Sequence, residues 1–282
     1  MRTLDTGTDD LLASVDAGVA TLTMNRPARR NALSPAMLDA LARLLAAVEV
    51  DDEVGCVVLT GAGEAFCAGG DVRAMDEGYQ DEGYQDEGDQ ARAAVPFDVK
   101  VHRQRLSQRA TSGAIWSMPK PVIASIPGPA AGAGLSLALA CDLRYAADTA
   151  VLTTAFAKVG FSGDYGGTWF LTQIVGTAKA RELYYFSDRL SATEAARLGV
   201  VSEVFPAAEL AAEVDAKARR LAAGPRVAHR YMKEALNRAV TGELVECLDL
   251  EASFHNHTGR TEDHQEAARA FVEKRPPVFR GR

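Results

Sequence analysis

Residues 121–142 read PVIASIPGPAAGAGLSLALACD. An uninterrupted apolar run predicts a strand covered on both faces. The Gly/Ala turn that follows lets the backbone reverse in little space, and the small-residue segment around residues 135–140 predicts a closely packed helix. The same order occurs earlier, where residues 56–71, CVVLTGAGEAFCAGGD, carry a continuous apolar strand through glycine into a second glycine-rich turn. Repeated βα units of this kind predict an α/β fold.

Working outward, residues 11–16 and 19–25 hold β-formers on either side of Ala17-Gly18 and predict a hairpin. Ser34-Pro35 opens a helix, serine at the N-cap and proline at the first helical position, and Met37, Leu38, Leu41, Leu44, Leu45 and Val48 then fall on one face. Residues 191–194, SATE, form a capping box ahead of a strand at 200–205. From 207 to 274 the pattern is that of successive helices, two of them separated at Gly224-Pro225. This change of character puts a boundary near Pro206, with a core at 1–206 and a helical region at 207–282. Between the two βα units, residues 76–90, DEGYQDEGYQDEGDQ, repeat with almost no aliphatic side chain; they cannot build a core and predict a mobile acidic surface loop.

Bulk properties narrow the classes. A chain of 282 residues, 47% hydrophobic, can bury a substantial core rather than remain disordered. A net charge of −7 argues against sequence-independent binding to nucleic acid. Cys56, Cys67, Cys141 and Cys247 are scattered without a C-x-x-C pair, which suggests reduced thiols rather than a zinc site or disulfide framework. No apolar run reaches the roughly 18 residues that span a bilayer, and the opening MRTLDTGTDD lacks a basic segment leading into an apolar one. The expectation is a cytoplasmic protein with no membrane association.

The two glycine turns carry the first chemical signal. Free N–H groups at such turns attract negative charge, and two sets converging on one point would make an oxyanion hole; the alternative reading is that the glycines only permit tight turns and close packing. Three other motifs fail. Gly132-Ala133-Gly134 lacks the third glycine of a dinucleotide fingerprint, and Ala138 stands where a G-x-S-x-G nucleophile elbow around Ser136 needs glycine. His255 and His257 are spaced to point to different sides of a helix, so with His264 they read as solvated side chains, not metal ligands. In residues 156–171, FAKVGFSGDYGGTWFL, Asp164 is a lone carboxylate among glycines and aromatics. Apolar surroundings would raise its pKa and suit it to proton transfer; an ordinary loop aspartate would cap the next helix.

Together with NRPARRNALS (25–34), GGTWFLTQIVGTAKARELYYFSDRLSATEAARLGVVSEV (166–204) and FVEKRPPVFRGR (271–282), these turns resemble the enoyl-CoA hydratase/isomerase (crotonase) superfamily over nearly the whole chain. The resemblance implies a spiral of ββα units with a C-terminal helical trimerisation region. It also implies an acyl-CoA thioester substrate, enolate stabilisation, assembly as a homotrimer or hexamer, and no cofactor beyond the substrate's own coenzyme A. By position it puts the oxyanion N–H groups at Gly70 and Ala133, the latter a departure from glycine, and the coenzyme A contacts at Ala68, Arg29 and Arg30. Ser136, Phe156, Phe161 and Tyr165 are expected around the acyl pocket.

A larger departure concerns the two glutamates of the family's hydratases, whose positions here hold Ser136 and Phe156. Asp164 instead matches the acid/base aspartate of isomerase members with a similar GxxxDxGGT segment; dehalogenase members carry a nucleophilic aspartate there. The resemblance thus implies double-bond isomerisation, with hydration or non-catalytic acyl-CoA binding as alternatives.

Overall fold

The computed structural model describes residues 1–71 and 95–282. The acidic repeat at 76–90 lies outside the described residues.

Strands β1 (Arg2–Thr3), β2 (Leu11–Asp16) and β3 (Val19–Met24) form an antiparallel run in which Leu11 faces Met24 and Asp16 faces Val19. Ala17 and Gly18 both take positive φ, 46° and 81°, the conformation a two-residue hairpin turn requires. Helix α1 (Pro35–Val50) starts as expected: Met37 N–H donates to Ser34 Oγ at 3.1 Å, and Met37, Leu41, Leu44, Leu45 and Val48 are buried.

Strand β4 (Cys56–Gly61) leads to the first turn. After the undescribed segment come α2 (Phe97–Gln108), a π-helical turn at Arg109–Gly113, and α3 (Ala114–Ser117). The second βα unit comprises β5 (Val122–Ile126), β6 (Ala130–Ala131) and α4 (Ala133–Ala140), then β7 (Leu143–Ala147) and β8 (Val151–Thr153). Every residue of β5 and α4 is buried, which explains why neither shows polar alternation.

A 3₁₀ turn at Phe156–Val159 precedes α5 (Gly167–Phe186), which breaks at Gly176, where φ is 76°. Strand β9 (Leu190–Ser191) and α6 (Ala192–Arg197) follow, and Glu194 N–H donates to Ser191 Oγ as the capping box predicts. The apolar stretch at 200–205 forms a strand only at its end, β10 (Glu203–Phe205). Helices α7 (Leu210–Ala222), α8 (Arg226–Ala239), α9 (Leu244–Thr258) and α10 (Glu262–Glu273) complete the chain.

Among the described residues one seven-stranded sheet runs β1-β2-β3-β4-β5-β7-β10, parallel from β3 onward, and β6-β8-β9 form a second, small sheet. One face of the large sheet is covered by α1 and α4. The other is covered by α7, whose Leu210, Val214, Ala218 and Ala222 pack on Val19, Val58 and Ile123. The change of composition at Pro206 therefore falls inside a packed unit. Beyond α7 burial is sparse: α9 has no buried residue, while Leu236, Leu244, Val245, Leu248 and Phe271 are exposed. Among the described residues no helix is long and apolar enough to cross a membrane.

Candidate active site

Asn31 assembles the first turn. Its fully buried amide donates to the carbonyls of Ala62 and Ala65 at 2.9 and 2.7 Å, while its Oδ1 accepts from Arg26 N–H at 2.9 Å. Residues 26–31 are thereby tied to the loop after β4. The two glycine turns are then joined edge to edge: Phe66 N–H donates to Pro129 O, and Ala131 N–H donates to Cys67 O. A Cβ on Gly134 would lie 2.4 Å from Cys67 O, and one on Gly69 would lie 2.9 Å from Ala131 O. Glycine is required at both positions because two backbones occupy the space a side chain would need.

The Ala133 N–H is the first of α4 and has no intrahelical acceptor. Gly70 meets Leu33 in an isolated bridge whose hydrogen bond runs from Leu33 N–H to Gly69 O, leaving the Gly70 N–H outside it. Neither N–H donates to any acceptor among the described residues. Both residues line one cleft of about 880 Å³, together with Asp164, Tyr165, and apolar side chains of α1 and α2 such as Leu38 and Leu106.

The loop carrying Asp164 holds an unusual backbone. Gly163, Tyr165 and Gly166 all have positive φ, at 116°, 48° and 76°. Room for that path exists only without side chains: a Cβ on Gly167 would lie 2.2 Å from Ser136 Oγ. Tyr165 is buried and lines the cleft together with Ser107 of α2. Asp164 does not cap α5, whose N-cap is Gly166 with no side-chain bond. Its Oδ1 is instead a buried oxygen without a hydrogen-bond partner. Burial alone pushes its carboxyl up to about 6, because removing water penalises the charged form.

Two further acids line the cleft, Asp39 and Asp71. Asp71 is paired with the Arg26 guanidinium at 3.0 Å, so its charge is compensated. Arg29 and Arg30 are exposed, and Arg30 O accepts from Ala68 N–H at 2.9 Å, which sets the two expected coenzyme A segments side by side. Among the expected pocket residues only Tyr165 lines the cleft. Ser136 is buried behind it, Phe156 is buried and stacked on Tyr184 at 5.9 Å, and Phe161 is 50% exposed. Phe161 points outward because the turn from Gly160 to Gly163 faces solvent; Ser136 and Phe156 point into the packing beneath the Asp164 loop.

Two cations missed in the sequence brace α4. The buried Arg144 donates to Val200 O at 2.7 Å and to the carbonyls of Leu139 and Cys141, satisfying the helix's last acceptors. Lys233 of α8 reaches in to donate to Asp142 at 2.8 Å and to the carbonyls of Ile115 and Lys120.

Two free N–H donors and an unpartnered carboxylate in one apolar cleft can hold a developing oxyanion and move a proton beside it, the equipment of an enolate-forming enzyme. A family model described as enoyl-CoA hydratase/isomerase matches residues 14–282. The chain is 38% identical over 274 residues to the 1,2-epoxyphenylacetyl-CoA isomerase of Escherichia coli strain K12, covering 96% of this chain and 98% of that protein. Crystal structures of enoyl-CoA hydratases from Polaromonas sp. JS666 and Bacillus anthracis both superpose with a TM-score of 0.85, at 32% and 31% identity. The matches cover 95% and 97% of this chain and 99% and 100% of those structures. The chain belongs to the enoyl-CoA hydratase/isomerase family, the crotonase superfamily, and is an enzyme. Names among its relatives divide between isomerase and hydratase.

Proposed function

We propose that this enzyme moves the double bond of an enoyl-CoA thioester, with Asp164 carrying the proton and the N–H groups of Gly70 and Ala133 holding the thioester oxygen. The unpartnered, buried Oδ1 of Asp164 in the cleft of the two free N–H groups carries this reading. The carboxylate takes a proton from the carbon next to the thioester. The resulting dienolate places negative charge on the oxygen, where two aimed N–H donors are worth several kcal/mol. The same carboxyl returns the proton at the far end of the dienolate, so atoms balance without water or an oxidant. A carboxyl poised near 6 exchanges protons readily around neutral pH. Ala133 in place of glycine leaves the donor intact, since its backbone is helical.

The substrate's coenzyme A would run past Ala68, with Arg29 and Arg30 toward its phosphates; no other cofactor and no metal take part in the step. Hydration is the second reading, favoured by the hydratase names of the structural relatives. It needs a group to activate water, and the positions of the family's hydratase glutamates carry Ser136 and Phe156, neither a carboxylate. Helices α8–α10, with their exposed apolar side chains, would assemble the chain as a homotrimer or hexamer. The four free thiols suit a reducing cytoplasm.

The test is incubation with a 3-enoyl-CoA in deuterated water, with the product's structure determined. A 2-enoyl product carrying exchanged deuterium is expected. Hydration of crotonyl-CoA at an ordinary hydratase rate without isomerisation would sink the proposal, and no exchange into any bound acyl-CoA would leave a binding protein.

A further inference from the structure

The buried Ser136 hydroxyl has its own task. Ser136 Oγ donates to Gly132 O at 3.3 Å, and Ser136 N–H donates to the same oxygen at 3.0 Å. The carbonyl of Gly132 and the N–H of Ala133 belong to one planar peptide unit, so whatever grips that carbonyl also aims that N–H. Gly132 itself sits at φ 53° and ψ −127°, a conformation open to glycine and lacking steric walls of its own. Behind Ser136 stands Tyr184 of α5, the two hydroxyls brought together against Gly167, where an added Cβ would meet both. With the Ser136 proton directed to Gly132 O, a bond between the two hydroxyls has the phenol as its donor.

Tyr184 also underlies the Asp164 loop. A Cβ on Gly167 would lie 2.6 Å from its hydroxyl, and one on Gly163 would lie 3.0 Å from its ring. Phe156 holds the ring from the other side in a near-parallel stack, 9° between planes. Gly163 and Gly167, on either side of Asp164 in the loop, therefore rest on the same side chain that stands behind Ser136.

We infer that Tyr184 and Ser136 are positioning residues: a hydroxyl relay, Tyr184 to Ser136 to the Gly132 carbonyl, that fixes and polarises the Ala133 amide and locks it to the loop bearing Asp164. A donated bond at the carbonyl strengthens the amide's own N–H bond cooperatively, by ~10–30%. This rests on the reading that the Ala133 N–H meets the thioester oxygen. Both residues act through backbone and touch no substrate.

Tyr184→Phe keeps the stack and the contact with the glycines and removes only the hydroxyl; Ser136→Ala removes the grip on the carbonyl. Each is expected to lower isomerase kcat by roughly 5- to 30-fold, short of the ~10²–10³ that follows loss of a whole oxyanion donor, with KM changed less than about twofold. In the Ser136→Ala background, Tyr184→Phe should add nothing, because the relay passes through Ser136. A second readout needs no turnover: acetoacetyl-CoA bound to the protein, whose enolate absorbs in the near ultraviolet. The wild type should show the band, and both variants should weaken it and shift its apparent pKa upward. A wild type without an enolate band overturns the oxyanion reading and the relay with it. A band unchanged in both folded variants, or fully multiplicative losses in the double variant, overturns the relay alone.

Discussion

Asp142 and Asp164 are two carboxylates that burial treats alike and partners treat differently. Desolvation raises the pKa of both. Asp142 is met by the Lys233 ammonium and by the Val122 N–H at 2.7 Å, so its charge is spent on holding α8 against β5. Asp164 has an oxygen that nothing in the described protein answers. A buried acid with its partners in place is architecture; one without them is free to exchange a proton with whatever enters the cleft.

The contrast is broken most directly at Asp164. Asp164→Asn keeps the shape and removes the proposed base, so the proposed isomerase turnover should fall by ~10²–10⁴ while acyl-CoA affinity stays nearly constant. Single-turnover kinetics with a separate binding titration measure both, and a fully active Asn variant would end the assignment. At Asp142 the loss should appear in stability instead. Lys233→Met leaves a half-buried carboxylate without its cation and should cost about 3–5 kcal/mol in denaturant unfolding, most of it recovered when Asp142→Asn is added. Additive losses in that pair would show that the two groups are not coupled.

Acidity offers a finer probe. With Asp164 as the proposed base, kcat/KM should be flat above about pH 6 and fall tenfold per unit below it, an acid limb set by the raised carboxyl. The stability sign follows from the same shift. A carboxyl whose folded pKa lies above its unfolded value favours the fold while protonated, fully so below the unfolded pKa. That contribution is lost as pH climbs through about 6. Asp164→Asn should therefore gain stability relative to wild type between pH 4 and pH 8, and unfolding series at the two values would expose an opposite trend. The smallest disturbance to either carboxylate is at the far helices. Leu248→Lys on α9 should lower the sedimenting mass at micromolar concentration while the circular dichroism of the chain persists; an unchanged mass would move the interface elsewhere.

What could be read from the residues follows the range of the interactions involved. The hairpin at Ala17-Gly18, the serine caps at Ser34 and Ser191 and the buried face of α1 are set by neighbours a few positions away, and all stand as expected. Asp164 stands out as the only carboxylate in residues 156–171, set among glycines and aromatics. Asn31, Arg144 and Lys233 did not, because their partners lie 34, 56 and 118 positions away. The same holds for Ser136: its place in the chain suggests the acyl pocket, but only the packing of Tyr184 and Gly167 reveals that its hydroxyl turns into the peptide layer. Composition also shifts at Pro206, yet α7 belongs with the sheet, since helical periodicity says which face is apolar and not what it will cover.

The position of α7 has a consequence during synthesis. It seals one side of the sheet, and its Arg219 pairs with Asp16, 203 positions earlier. At ~5–20 residues per second a ribosome needs on the order of ten to forty seconds to connect those two points. As Val19, Val58 and then Ile123 are made, each waits without the helix that covers it in the finished fold, so the growing chain carries an apolar sheet face that the completion of α7 withdraws.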